Sequence, residues 1–396
     1  MKDISLVILC GGKGTRLGKL TKSTPKPFLN ISHKKFLDYL IQFYQKYNFT
    51  KIYLLAGFKG HKIKNYYNNK FYNFLKIETV VEKKRLGTAG SIALLKKKIK
   101  SDFLLINGDS FLNYNFNSFI NTVDTKYLGN IVLVKNNNYF ENTKLIGLNL
   151  KRNNLVFHKK SSNLMNAGIY YFNKRIFNYV SLKYSSLEQL LNKLISYKKI
   201  KGFLSKDYFV DIGLKKNLLD AKTTLPKIVK KPAVFLDRDG VLNYNFGYVH
   251  KFKDFKWTPN AVEALKYLNK KGYYIFIITN QAGIARGYYT EDDFINLHKK
   301  IKKYLSKKNI FIEDVFFCPH HPTEGKGKYK INCDCRKPKN LLIENIKHQW
   351  SIDLKKSFMI GDQKTDALCA AKSKINFFYY KNNLLNQVKS IISRKK

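Results

Sequence analysis

The chain has 396 residues, more than one ordinary hydrophobic core accommodates and enough for two domains, so length alone permits two activities. A formal charge of +47, from 74 basic and 27 acidic residues, first suggests nucleic acid, but the excess is nearly all lysine, scattered among Asn, Tyr, Ile and Phe with no arginine-rich stripe or recognition motif. No apolar run approaches the roughly 20 residues that span a bilayer, and the opening MKDISLVILCGG lacks a charged n-region and a cleavage site, so we expect a cytoplasmic protein with no nucleic-acid partner and no membrane insertion.

In chain order, short apolar runs at 4–10, 51–57, 103–109, 131–135 and 167–172 alternate with helical stretches such as FLDYLIQFYQKY. That alternation predicts an α/β domain over 1–225 with a mostly parallel sheet flanked by helices. Two prolines and a basic run mark a linker at 226–231. A second α/β pattern fills 232–396, with strands expected at 233–237, 274–280, 315–320 and 357–362. Its helices are expected from about Asn260 to Gly272, with Val262, Leu265 and Leu268 on one face, over NLLIENIKHQW, and at the C-terminus.

Directly after the first strand come Gly11, Gly12, Gly14, Thr15 and Arg16, followed by the Pro25-Lys26-Pro27 segment. A glycine-rich strand-to-helix turn lets backbone N–H groups approach a polyphosphate, while Arg16 and Lys26 bring positive charge to it. This combination resembles the opening signature of the sugar-1-phosphate nucleotidyltransferases. The resemblance implies a Rossmann-like domain taking NTP and sugar phosphate, with Gly87 and Thr88 at the nucleobase and Asn166 and Gly168 at the sugar. It also implies Lys160 at the sugar phosphate and Asp109 and Asp211 as ligands of Mg²⁺. One departure is Phe157-His158-Lys159-Lys160, where the family usually has Phe-x-Glu-Lys, so Lys159 replaces the acidic position.

Asp237-Arg238-Asp239-Gly240 follows an apolar strand and sets two carboxylates two residues apart at its end. With Thr279-Asn280, Lys337 and Gly361-Asp362 in order, it resembles the haloacid-dehalogenase-like phosphatases. That resemblance implies Asp237 as nucleophile, Asp239 as acid and base, and Thr279 and Lys337 on the phosphoryl oxygens. Asp237, the carbonyl of Asp239 and Asp362 would hold Mg²⁺.

Five cysteines, three of them within eighteen positions, argue against a disulfide framework and for a metal site. Cys318, His320, Cys333 and Cys335 have the donor types of a closed tetrahedral Zn²⁺ site, with His321 as the alternative fourth ligand. This zinc loop, with Gly247-Tyr248-Val249-His250 and Asn280-Gln281, makes the second half resemble a capless branch containing heptose-1,7-bisphosphate 7-phosphatases and histidinol phosphatases. There Asn280 and Gln281 would touch substrate and Arg336 would help choose it. The expected function is bifunctional: removal of the 7-phosphate of a heptose 1,7-bisphosphate, then transfer of a nucleotidyl group, GTP being the expected donor. The alternative is a histidinol phosphatase fused to a hexose-1-phosphate nucleotidyltransferase. An oligomer is compatible with either.

Overall fold

The structure is a computed structural model of the 396-residue chain, described here for residues 4–135, 147–151, 154–158 and 164–394, the side chains of 147–158 excepted. It divides into two units, Met1–Phe43 with Phe49–Leu225, and Pro226–Lys396 with Tyr44–Asn48.

The first unit is built on ten strands: β1 (Ile4–Cys10), β2 (Phe49–Ala56), β3 (Phe71–Tyr72), β4 (Leu75–Val81), β5 (Phe103–Asn107), β6 (Gly129–Lys135), β7 (Gly147–Lys151), β8 (Asn154–His158), β9 (Leu164–Phe172) and β10 (Ile200–Leu204). They lie in the order β7-β8-β10-β6-β9-β5-β1-β2-β4-β3. Every residue of β1 is buried, as a strand covered on both faces requires, and Val7, Leu9, Tyr53, Leu55, Phe103 and Leu105 share one core with Leu187, Leu190, Leu191 and Leu194 of helix Leu187–Ser196. Ser186 and Gln189 form a reciprocal capping box that starts this helix.

The mostly parallel expectation holds for the heart of this sheet and for the β6–β10 pair. β5, β1, β2 and β4 run parallel, but β9 enters antiparallel between β5 and β6, and the flanking pairs β7–β8, β8–β10 and β3–β4 are antiparallel too. Strand direction is set by where the chain re-enters the sheet, and an apolar run reads the same both ways. The expected linker also differs, because helix Lys215–Ile228 continues through Pro226. Asp109 and Asp211 come together through a separate two-stranded ladder in which Ser110 pairs with Asp211.

The second unit is parallel throughout, as expected. Strands β11 (Ala233–Leu236), β12 (Tyr274–Asn280), β13 (Asp314–Cys318), β14 (Phe358–Gly361) and β15 (Asn376–Tyr379) lie in the order β13-β12-β11-β14-β15. Asp237, Thr279, Cys318 and Asp362 therefore all lie at carboxyl ends of neighbouring strands, the edge where open α/β sheets gather their chemistry. Helix Ala261–Lys270 buries Ala261, Ala264, Leu265 and Leu268, while Val262 is only partly buried. Helix Glu291–Ser306, which the expected elements omit, starts from a capping box of Thr290 and Asp293. Among the described residues, no helix is long and apolar enough to cross a membrane.

Candidate active sites

In the first unit, Gly11, Gly12, Lys13, Gly14, Thr15, Gly87 and Thr88 line one cavity of about 690 Å³ together with Gly57, Glu82, Arg85 and Tyr184. Gly14 has φ 68°, and a Cβ there would stand 2.7 Å from the Lys26 side chain, so this position needs glycine twice over. The Thr88 hydroxyl accepts a 2.7 Å hydrogen bond from the Leu187 amide, which pins the glycine loop to a helix start beside the cavity that Thr88 lines.

Glu82, which the motif reading passes over, supplies a carboxylate to this cavity. Its Oε2 accepts from the Leu86 amide at 3.1 Å, and a Cβ on Gly57 would overlap its Oε1. A lone glutamate in the lysine-rich VVEKKR has no spacing signal; its nearness to the LGTAG loop is the one hint in the sequence.

Lys26 and Asp109 form an ion pair of 2.7 Å, and Asp211 accepts from Ser110 Oγ at 3.0 Å and from the Gly213 amide at 2.7 Å. Burial and then the neighbouring Asp109 charge push Asp211 up to about 6. Arg16 Nη2 and Lys26 Nζ come within 3.6 and 3.5 Å of where a Cβ on Gly213 would stand, so both expected cations lie beside the turn that follows Asp211. Two acids this close, one of them raised by burial and by its neighbour's charge, suit a divalent cation between them.

Asn166 and Gly168 occupy an irregularity of β9, where the register against β6 shifts between Asn166 and Tyr170. The Asn166 amide is engaged internally, donating to Tyr170 Oη at 2.8 Å and accepting from the Gly168 amide at 2.9 Å. Lys159 and Lys160 lie outside the described residues.

In the second unit, Asp237, Asp239, Thr279, Asn280, Gln281, Lys337 and Asp362 line a cavity of about 380 Å³ with Tyr248, Tyr289 and Gln363. Lys337 Nζ lies 2.9 Å from Asp237 Oδ1 and 2.5 Å from the wholly buried Asp366. The Arg238 amide also donates to Asp237 Oδ1 at 2.8 Å, which leaves Oδ2 without a protein partner among the described residues. Burial pushes the Asp237 carboxyl up to about 7, with Asp366 and Asp239 adding to the rise and Lys337 opposing it.

The carboxylates of Asp237, Asp362 and Asp366 lie within 4.8 Å of one another, and Asp362 Oδ1 is buried with no protein partner, so the set fits a cation. The side chain of Asp239 is not part of this cluster. Asn280 is committed elsewhere, its amide donating to the Lys337 carbonyl at 3.1 Å and accepting from the Lys337 N–H at 3.0 Å. Gln281, only 1% exposed, donates to Thr279 and Asp239. Both also line the cavity, and these hydrogen bonds tie them to Lys337, Thr279 and Asp239.

Cys318, His320, Cys333 and Cys335 converge as expected. Their sulfurs are 3.1 to 3.4 Å apart and His320 Nδ1 is 3.4 Å from Cys335, too long for a disulfide and near the roughly 3.7 Å edge of a tetrahedral thiolate site. His321 takes the hydrogen bond of the Glu324 amide and stands outside the group, in which His320 is the histidine. Arg336 is not among the residues lining the cavity; its Nη1 donates to the His320 carbonyl at 3.1 Å.

The two folds and their strand-end carboxylates define a two-domain enzyme, a nucleotidyltransferase followed by a haloacid-dehalogenase-like phosphatase. Residues 5–145 match the nucleotidyl transferase family, and 236–380 match the family described as polynucleotide kinase 3 phosphatase. Over 147 residues the chain is 46% identical to the D-glycero-beta-D-manno-heptose-1,7-bisphosphate 7-phosphatase of Haemophilus influenzae, covering 36% of this chain and 79% of that protein. It is 43% identical over 137 residues to the corresponding alpha-heptose enzyme of Photorhabdus laumondii, covering 35% of this chain and 75% of that one. Through its second unit the chain belongs to this family of bisphosphate 7-phosphatases. The crystal structure of HddC from Yersinia pseudotuberculosis complexed with GMP-PN aligns at 28% identity and a TM-score of 0.48, over 56% of this chain and 99% of that one.

Proposed function

We propose that the chain makes a nucleotide-activated heptose in two steps, hydrolysing the 7-phosphate of a heptose 1,7-bisphosphate and then joining the remaining 1-phosphate to GMP from GTP with release of pyrophosphate. The observation that carries this is the pairing, in one chain, of a bisphosphate 7-phosphatase relative with a nucleotide-loop domain whose motifs call for a sugar 1-phosphate. A phosphatase that removed the phosphate its neighbour needs would be futile; one that removes the other phosphate supplies it. Both substrates belong to the cytoplasm.

In the phosphatase, Asp237 Oδ2 attacks phosphorus and the bond to the sugar oxygen breaks, while Asp239, as the acid, gives that oxygen its proton. Water then attacks the aspartyl-phosphate, losing its proton to Asp239 and releasing phosphate and free Asp237. Lys337 holds a phosphoryl oxygen against the nucleophile. Mg²⁺ held by Asp237 and Asp362, with the carbonyl of Asp239, would offset the repulsion between carboxylate and phosphate dianion. Zn²⁺ on Cys318, His320, Cys333 and Cys335 would be structural, all four positions being filled by protein.

In the transferase, the sugar-phosphate oxygen attacks the α-phosphorus, and no protein nucleophile is needed. Arg16 and Lys26 hold phosphate oxygens, and Mg²⁺ on Asp109 and Asp211 would orient the triphosphate. Glu82 supports GTP as donor. A carboxylate oxygen accepts well from guanine N1–H and N2–H₂, whereas uracil presents one N–H between two repelling carbonyls.

Phosphorus NMR of heptose 1,7-bisphosphate with enzyme, Mg²⁺ and equal GTP and UTP tests the reading. The 7-phosphate signal should vanish before a diphosphate diester appears, and GTP should be consumed in preference. Early loss of the 1-phosphate, or equal turnover of histidinol phosphate, overturns it in favour of the fused histidinol phosphatase.

A further inference from the structure

We propose that Arg238 is the positioning residue of the phosphatase: its buried guanidinium sets the Asp239 carboxylate on the leaving-group oxygen and makes that setting depend on the 244–250 segment. The proposal rests on the phosphatase roles given above to Asp237 and Asp239.

Arg238 is 1% exposed, the largest of the fully buried side chains. Its Nε donates to Asp239 Oδ2 at 3.0 Å and its Nη2 to Asp239 Oδ1 at 2.8 Å, a two-point grip that fixes the plane of the carboxylate as well as its place. The same Nη2 donates to the Val249 carbonyl at 2.8 Å, and Nη1 is buried with no protein partner. A guanidinium taken out of water with a donor left unused is poorly explained as a stabilising device, because desolvation offsets most of what one ion pair returns. Geometry is the better reason for its presence.

A second route reaches the same carboxylate from the same segment. His250 stacks on Tyr289 with ring centres 4.9 Å apart, the Tyr289 hydroxyl donates to Gln281 Oε1 at 2.5 Å, and Gln281 Nε2 donates to Asp239 Oδ2 at 3.0 Å. Because Tyr289 occupies the amide oxygen, the amide nitrogen must face Asp239. Asn243 adds a donor to Asp239 Oδ1 at 3.0 Å. Between these anchors lie Asn245, Gly247 and Tyr248, which line the cavity, and Tyr248 is held in the left-handed region at φ 50°. Substrate resting on this segment thus bears on the residues that aim Asp239, in a domain without a large cap to do so.

The acid matters in the step that forms the aspartyl-phosphate, and kcat/KM reports binding and that step without the hydrolysis that follows. For an alkyl phosphate the departing alkoxide needs the proton of Asp239; for p-nitrophenyl phosphate the phenolate leaves without it. With full-length enzyme and Mg²⁺, Arg238→Lys should lower kcat/KM for a primary alkyl phosphate about 100-fold and for p-nitrophenyl phosphate less than roughly 5-fold, because only the first depends on general acid catalysis. A merely structural role would depress both alike. Gln281→Met removes a different donor from the same carboxylate and should steepen the leaving-group dependence in the same direction, even if Arg238→Lys fails to fold. Equal losses across esters, or no loss, in either folded variant overturn the proposal. Retention of phosphatase activity by Asp237→Asn would instead overturn the phosphatase reading beneath it, and the proposal with it.

Discussion

At the scale of single residues, each site is organised by charges that oppose one another until something intervenes. Asp211 is the clearest case. Its carboxyl is raised from 3.8 to about 6, chiefly by burial and then by Asp109. A carboxyl raised in the fold contributes stability that is complete below its unfolded value and lost as the pH climbs through about 6, the opposite sign to an ion-paired aspartate. Metal-free protein should therefore gain stability on Asp211→Asn at about pH 7.5, by about 1–2 kcal/mol, and much less at about pH 4. Thermal unfolding in EDTA measures this, and added Mg²⁺ should stabilise the parent but not the variant. A variant that melts lower at the higher pH would refute the crowding of these two acids. Which polar side chains face inward was beyond the sequence at this scale. Thr88, Asn280 and Gln281 stand in motifs that suggest ligand contact and line the cavities, and they also hydrogen-bond Leu187, Lys337 and Asp239. A motif gives residue type and spacing, whereas a hydrogen-bond partner is chosen by whatever else arrives in space.

At the scale of elements, the loop after β13 is gathered around the cluster of Cys318, His320, Cys333 and Cys335. Residues 319–340 contain a single short helical turn, Gly327–Tyr329, and their ties include the cysteine–histidine cluster, Arg336 on the His320 carbonyl, the Lys326 amide on the Ala285 carbonyl and the Tyr329 hydroxyl on Glu291. Lys337 sits two residues past Cys335, so the cluster also places the lysine that bridges Asp237 and Asp366. Cys333→Ser should release the zinc, lower the melting temperature of the second unit and reduce phosphate release, while nucleotidyl transfer persists. Elemental analysis beside a two-activity assay checks it; full metal content with unchanged melting would count against the site. The convergence of Cys318, His320, Cys333 and Cys335 was legible because their spacing is short and their side chains share one chemistry. The β9 irregularity that carries Asn166 and Gly168 was not, because a bulge depends on the register of two strands distant in sequence.

At the scale of the whole molecule, two sheets carry two separate sets of carboxylates, and the chemistries should come apart. Asp237→Asn should abolish phosphate release from a sugar bisphosphate and spare pyrophosphate release from NTP and sugar 1-phosphate, and Asp109→Asn should do the reverse, each loss being at least about 100-fold. Loss of both activities in either folded variant would contradict the two-unit organisation.

The sequence by itself determined the two α/β units, the strand ends at which Asp237 and Asp362 meet Lys337 around one cavity, and the convergence of the cysteines with His320. These are legible because buried parallel strands read as apolar runs and reactive groups follow them within one or two residues. Tertiary structure alone decided the antiparallel entry of β9, the helix running through Pro226, the approach of Glu82 to the nucleotide cavity against Gly57, and the grip of Arg238 on Asp239. Each of these depends on a direction, a register or a partner supplied by a distant part of the chain, and local pattern holds no record of which distant part will come.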